Sequence, residues 1–253
     1  MSLTGLATRP EISAHSAIVV GVPSIEVRLQ RQTLIAIFHC AFLSTWLVAQ
    51  AAPERKVEGS LIISKRDPAV EIQLPKSANY IGADRWVLYD IADCELHAFV
   101  EADAQHNVQR LYWVQFEGYV PTQPELKHTY NSPQHTQIGG LDFYVDTWVR
   151  AGKEETTPGS DREHIEALIR AHGDKMPAGM MYVRLVHLLD DAKRKELMII
   201  YGEYLAPTGF SVVDLNQGGR SQDRWPQIAK SLVERAQQKV VIRETRSSNE
   251  ISK

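Results

Sequence analysis

Cysteine is almost absent: the 253-residue chain carries two, Cys40 and Cys94, and no C-x-x-C pair. That excludes the paired-thiol spacings of redox motifs and zinc ribbons. Walker A, G-x-S-x-G and HExxH signatures are also missing, so the common nucleotide, serine-hydrolase and zincin chemistries have no carrier. No cofactor and no metal is expected from these motifs. No block of lysine and arginine is long enough to neutralise a run of phosphates, which excludes nucleic acid as a partner. No uncharged apolar stretch reaches the roughly 20 residues of a comfortable membrane span.

One shorter apolar stretch is present. Leu34–Val48 is uncharged, is preceded by Arg28 and Arg31, and is followed by the small-x-small triplet Ala49-Gln50-Ala51. A basic segment, an apolar core of about 7–15 residues and small residues at a cleavage point make a secretory signal. The run is apolar on every side, unlike an amphipathic core helix. Residues 1–51 therefore read as an N-terminal extension and export signal with an apolar core at 34–48, and 52–253 as a single domain. Periplasmic or secreted localisation follows, with inner-membrane anchoring as the alternative if the signal is not cleaved. The length of sequence ahead of Arg28 also suggests a start near Val22 or Val27.

From residue 52 onward, 25 Lys+Arg stand against 29 Asp+Glu, a net charge of −4. Cys40 leaves with the signal, so Cys94 has no intrachain partner and is expected to be a buried thiol.

The segments 85–91, 94–102, 108–120 and 140–150 are rich in aromatic and β-branched residues, as are 181–189 and 196–205; they read as strands. The first three form a meander with a turn at Ala92-Asp93, and DDAKRK closes a hairpin between the last two. Ser160 and Glu163 have capping-box spacing before the stripe Ile165, Leu168 and Ile169, and Gly173 stops that helix. A second amphipathic helix covers 223–242, ahead of a polar tail. Residues 121–140 form a long connection of the kind that often carries function. With strands, helix, strands and helix in that order, the expected fold class is α+β: an antiparallel sheet, meander plus hairpin, packed on one face by two helices.

LAPTG (205–209) resembles an L-A-x-T-G variant of the sorting signal of sortase-anchored cell-wall proteins. That pattern also needs a hydrophobic segment and a basic tail, and FSVVDLNQGGRSQDRW follows instead; no function is carried over. The histidines lack the i, i+4 spacing that forces shared metal ligation.

Alternation along the strands separates an aliphatic face from one mixing rings with polar groups. The mixed set holds His97, Trp113, Glu117, Tyr144, Asp146 and Trp148. If these share a cleft, the rings stack on a ligand and His97, Glu117 and Asp146 orient it. The leading expectation is a non-catalytic exported protein binding a small molecule or an envelope partner. The alternatives are a hydrolase or isomerase using a His/carboxylate pair on that face, and a structural or assembly protein.

Overall fold

The computed structural model describes residues 51–152 and 154–245. The expected export segment, with its core at 34–48, lies outside the described residues, apart from Ala51. Among the described residues no helix is long and apolar enough to cross a membrane.

The fold is α+β and its sheets are antiparallel. β1 (Lys56–Glu58), β2 (Leu61–Lys65) and β3 (Ala69–Gln73) begin a four-stranded sheet. β4 (Asn79–Leu88), β5 (Ala92–Ala102), β6 (Val108–Tyr119), β7 (Gln134–Ile138) and β8 (Leu141–Ala151) belong to a larger one. Helix α1 (Asp161–His172) is followed by the hairpin β9 (Gly179–Leu188) and β10 (Lys195–Tyr204). The short α2 (Val212–Leu215), the long α3 (Trp225–Lys239) and β11 (Val241–Glu244) complete it. The small sheet has the order β1-β2-β3-β11, the large one β4-β5-β6-β10-β9-β8-β7.

The two helices do not share a face, which corrects the expected packing. Ile165 and Ile169 of α1 pack with Leu96, Ala98, Trp113 and Ile200 on one side of the large sheet. Leu232 and Ala236 of α3 pack with Tyr112, Val114, Leu185 and Tyr201 on the other, together with Ile62, Ile72 and Ile242 of the small sheet. The reason is in β6, where both alternating sets are apolar, so each face needs its own cover. Arg235 ties α3 to the sheet through a two-pronged contact with Glu203 of β10, at 2.8 and 2.9 Å, the geometry in which guanidinium and carboxylate match best.

Local punctuation differs from expectation in four places. The β4–β5 turn is centred on Tyr89 and Asp90, both left-handed (φ 47° and 61°), so β5 already begins at Ala92. Ser160 precedes α1 without a side-chain cap: its hydroxyl bonds the Thr157 carbonyl, and Glu163 takes the Gly159 N–H instead. A reciprocal capping box does form between Ser211 and Asp214 at α2. Third, the connection after β6 is shorter than 121–140, because β7 pairs with β8 across the turn Gly139-Gly140. Both glycines have positive φ, and a Cβ on Gly139 would sit 2.2 Å from the Ile242 carbonyl oxygen. Only glycine fits that approach. At the other end, α3 stops at Lys239 and the chain turns into β11, so 241–244 is strand rather than helix or tail.

Candidate functional site

The face under α1 is built by register. Glu117 stands opposite Glu196, Gln115 opposite Met198 and Trp113 opposite Ile200. Ile200 in turn faces Arg184, and Gly202 faces Tyr182. Asp146 faces Arg184, and Trp148 faces Tyr182. Gly202 matters here because the Tyr182 ring lies across it: a Cβ there would come within 2.9 Å of that ring. Tyr182 stacks on Trp148 with centroids 5.2 Å apart and 21° between planes.

Between this face and α1 is a cavity of about 300 Å³, at the lower end of the small-ligand range. Trp113, Trp148, Tyr182 and Ile200 supply its apolar wall, while Asp161, Arg162 and Glu166 project from the first turns of α1 and Arg184 from β9. Two atoms of these side chains are buried without a hydrogen-bond partner, the acceptor Asp161 Oδ1 and the donor Arg162 Nη1. The rest of each group is engaged. Arg162 Nε bonds Glu166 at 2.5 Å, its Nη1 stands 4.0 Å from Glu154, and Gln115 reaches the Asp161 carboxyl. Leaving a buried donor or acceptor unmatched costs about 1–3 kcal/mol, so each of these atoms is open to a water molecule or a ligand group.

A polar relay runs away from the cavity along β6. The Trp113 indole N–H donates to Gln115 Oε1 at 2.9 Å, and the Gln115 amide donates to Glu117 Oε2 at 3.1 Å. Beside Glu117 lies Glu196, which accepts the Tyr130 hydroxyl at 2.7 Å, and His128 Nδ1 is 3.0 Å from Glu196 Oε2. Burial pushes the Glu117 carboxyl up, and the Asp161 charge adds to it. Burial likewise raises Glu196, with Glu117 adding to it. Burial lowers His128 to about 4, so its imidazole is neutral at pH 7. Cys94 on β5 is fully buried next to Glu117, and burial raises its thiol far above the ordinary range; the expected buried thiol is what is found.

The first part of the connection between β6 and β7 is held by one arginine. Arg194 Nη1 donates to the carbonyls of Gln123, Pro124 and Leu126, and Nη2 to those of Tyr119 and Val120. Tyr119 stacks on His128 at 4.4 Å, which sets the imidazole plane.

Of the six residues proposed from sequence, five share this face. Trp113 and Trp148 line the cavity. Asp146 holds Arg184 at 2.7 Å and accepts the Ser132 hydroxyl at 2.7 Å. Tyr144 packs between Tyr130 and His135, and Glu117 ends the relay. His97 does not belong with them: Cys94 pairs with Glu117 and Leu96 with Gln115, so His97, opposite Val114, points to the other side. It is buried there against Glu95. Alternation groups residues within a strand, whereas the phase between strands is set by the connecting loop. Asp161, Arg162, Tyr182, Arg184, His128 and Glu196 went unread as site residues, since each joins the face only through tertiary pairing. The Asp161-Arg162 pair at the start of α1 was the one local signal.

Comparisons of this chain with protein-family models, with curated proteins and with solved structures find no match.

Proposed function

We propose that this chain is an exported, non-catalytic binding protein whose ligand is a small flat molecule with a polar end. The observation that carries the reading is the pair of buried atoms without a hydrogen-bond partner, Asp161 Oδ1 and Arg162 Nη1, on side chains that line a cavity with an aromatic and aliphatic wall. A ligand whose apolar body lies against Trp113, Trp148 and Tyr182, and whose end offers one acceptor and one donor, satisfies both atoms at once. Aryl hydroxy acids and aryl amino acids have that form. Export is supported by the basic, apolar and small-residue order from Arg28 to Ala51.

The test is titration of the purified protein with a panel of aryl acids, aryl amides and phenols, followed by indole fluorescence. Saturable quenching by members that carry both a donor and an acceptor is expected, weakened about tenfold or more in Arg162→Ala and in Trp148→Ala. Absence of saturable quenching across the panel, together with no small molecule released on denaturing the natively purified protein, overturns the reading. Export is tested separately by fusing residues 1–60 to a reporter enzyme active only outside the cytoplasm.

A further inference from the structure

The meeting of Glu117, His128 and Glu196 is a second feature of the same face, independent of the cavity and its ligand. Two glutamates stand side by side on neighbouring strands, β6 and β10, because register pairs them directly. Glu196 is 2% exposed. Like charges placed directly opposite on a sheet repel, and removing carboxylates from water is costly unless a cation or a set of donors compensates. The donors present fall short of that. Tyr130 gives one hydrogen bond to Glu196, whose Oε2 also has His128 Nδ1 at 3.0 Å, and Gln115 gives one to Glu117. Asp161 adds a further carboxyl nearby, and Cys94 a neutral thiol. The nearest guanidinium, Arg184, is already bound to Asp146.

His128 supplies the independent observation. It is 6% exposed, and its Nε2 is buried with no hydrogen-bond partner. The contact of its Nδ1 with Glu196 Oε2 at 3.0 Å and the Tyr119 ring stacked at 4.4 Å hold the imidazole in place. An imidazole held against a carboxylate in this way is placed to add a nitrogen ligand beside it. One ligand atom from each of the three residues lies within 4.8 Å of the other two. Ligands about 2.1 Å from a tetrahedral zinc are about 3.4 Å from one another, so side-chain rotation of about an ångström closes the set.

We propose that Glu117, His128 and Glu196 form a binding site for a divalent first-row metal cation, with Zn²⁺ the best match. Two carboxylates neutralise its charge, the imidazole adds a nitrogen ligand, and a fourth position is left for solvent. Tyr130, Gln115 and Arg194 act as the outer layer that holds the ligands. Nothing in sequence spacing announces the set, because its members lie on β6, on the connection after it and on β10.

The experiment uses the full chain stripped with EDTA and dialysed, then titrated with ZnCl₂ by calorimetry and with CoCl₂ by visible absorption. Saturable uptake of one equivalent is expected, with the intense d–d bands of four-coordinate Co²⁺. Glu196→Gln and His128→Gln, each checked by circular dichroism for a retained fold, should lower affinity by about tenfold or more. His172→Ala alters the separate exposed contact with Asp174 and should leave affinity unchanged. No saturable uptake by the natural chain, wild-type affinity in Glu196→Gln, or loss of affinity in His172→Ala instead each overturns the proposal. Aryl-ligand quenching measured in the same Glu196→Gln protein separates failure here from failure of the cavity reading.

Discussion

His97 Nε2 lies 2.9 Å from Glu95 Oε1, and both side chains are sealed in the interior beneath the first described residues of the chain. The backbone N–H groups of Glu54 and Arg55 also donate to Glu95, at 2.9 and 2.8 Å, and the Arg55 guanidinium at 2.9 Å. Arg55 then lies over the Phe116 ring at 4.3 Å. One carboxylate therefore gathers four donors and fastens the entering chain to the large sheet.

That carboxylate contributes to acid stability. Burial alone would raise Glu95, but the His97, Glu54 and Arg55 hydrogen bonds outweigh it and hold the carboxyl at about 2, against 4.5 for an ordinary glutamate. A lowered folded-state value means stability that is present above pH 4.5 and lost as pH falls through about 2. The shift corresponds to about 3 kcal/mol at neutral pH. Denaturant unfolding at pH 7 and pH 3 should show the natural protein weakening at the lower pH, while Glu95→Gln is weaker at pH 7 and loses less between the two. A parallel decline in both proteins would place the acid sensitivity elsewhere.

Arg194 should control the order of the 121–133 connection. Its planar fork serves five carbonyls, a task one ammonium cannot match. In Arg194→Lys, amide exchange across 121–128 is expected to speed up, with a loss of about 1–3 kcal/mol in global stability. Hydrogen-exchange mass spectrometry reads both. Unchanged exchange in that segment would mean the backbone holds itself.

Gly139 and Gly140 make an internal comparison. Both have positive φ, yet only Gly139 has the Ile242 backbone against it, and nothing lies within 4 Å of a Cβ on Gly140. Gly140→Ala should cost about 1 kcal/mol, the backbone penalty alone. Gly139→Ala should cost clearly more, because β11 must move. Equal losses in chemical denaturation would show that β11 shifts without penalty.

Leu232 tests the face beneath α3. It is fully buried among Tyr112, Leu185 and Ile242. Leu232→Ala should remove about 2–5 kcal/mol, measured by thermal or denaturant unfolding, and should leave the cavity under α1 intact.

The strand texts, the two long helices and the β9–β10 hairpin were legible because each carries its signal locally, in alternation, in an apolar stripe or in a charged turn. Two things were not. Val241–Glu244 is too short and too mixed to declare itself a strand, and it becomes one only by pairing with β3. The phase between β5 and β6 was equally silent, which is why His97 was grouped with Trp113 although the sheet separates them. For the site, the rings on β6 and β8 could be read from alternation. Their partners Tyr182 and Arg184 lie on a strand whose apolar text reads as core, and His128 sits in a connection with no period at all.

β11 joins residues near the end of the chain to β3, about 170 positions earlier in sequence, and its Ile242 carbonyl rests on the Gly139 turn. The small sheet is thus closed by a strand far downstream of the other three. Until that segment arrives, β3 has an open edge and Ile72 lacks its cross-strand neighbour Ile242. Ordering of the small sheet therefore waits on a contact of long sequence separation, the kind that forms late because a large loop must close first.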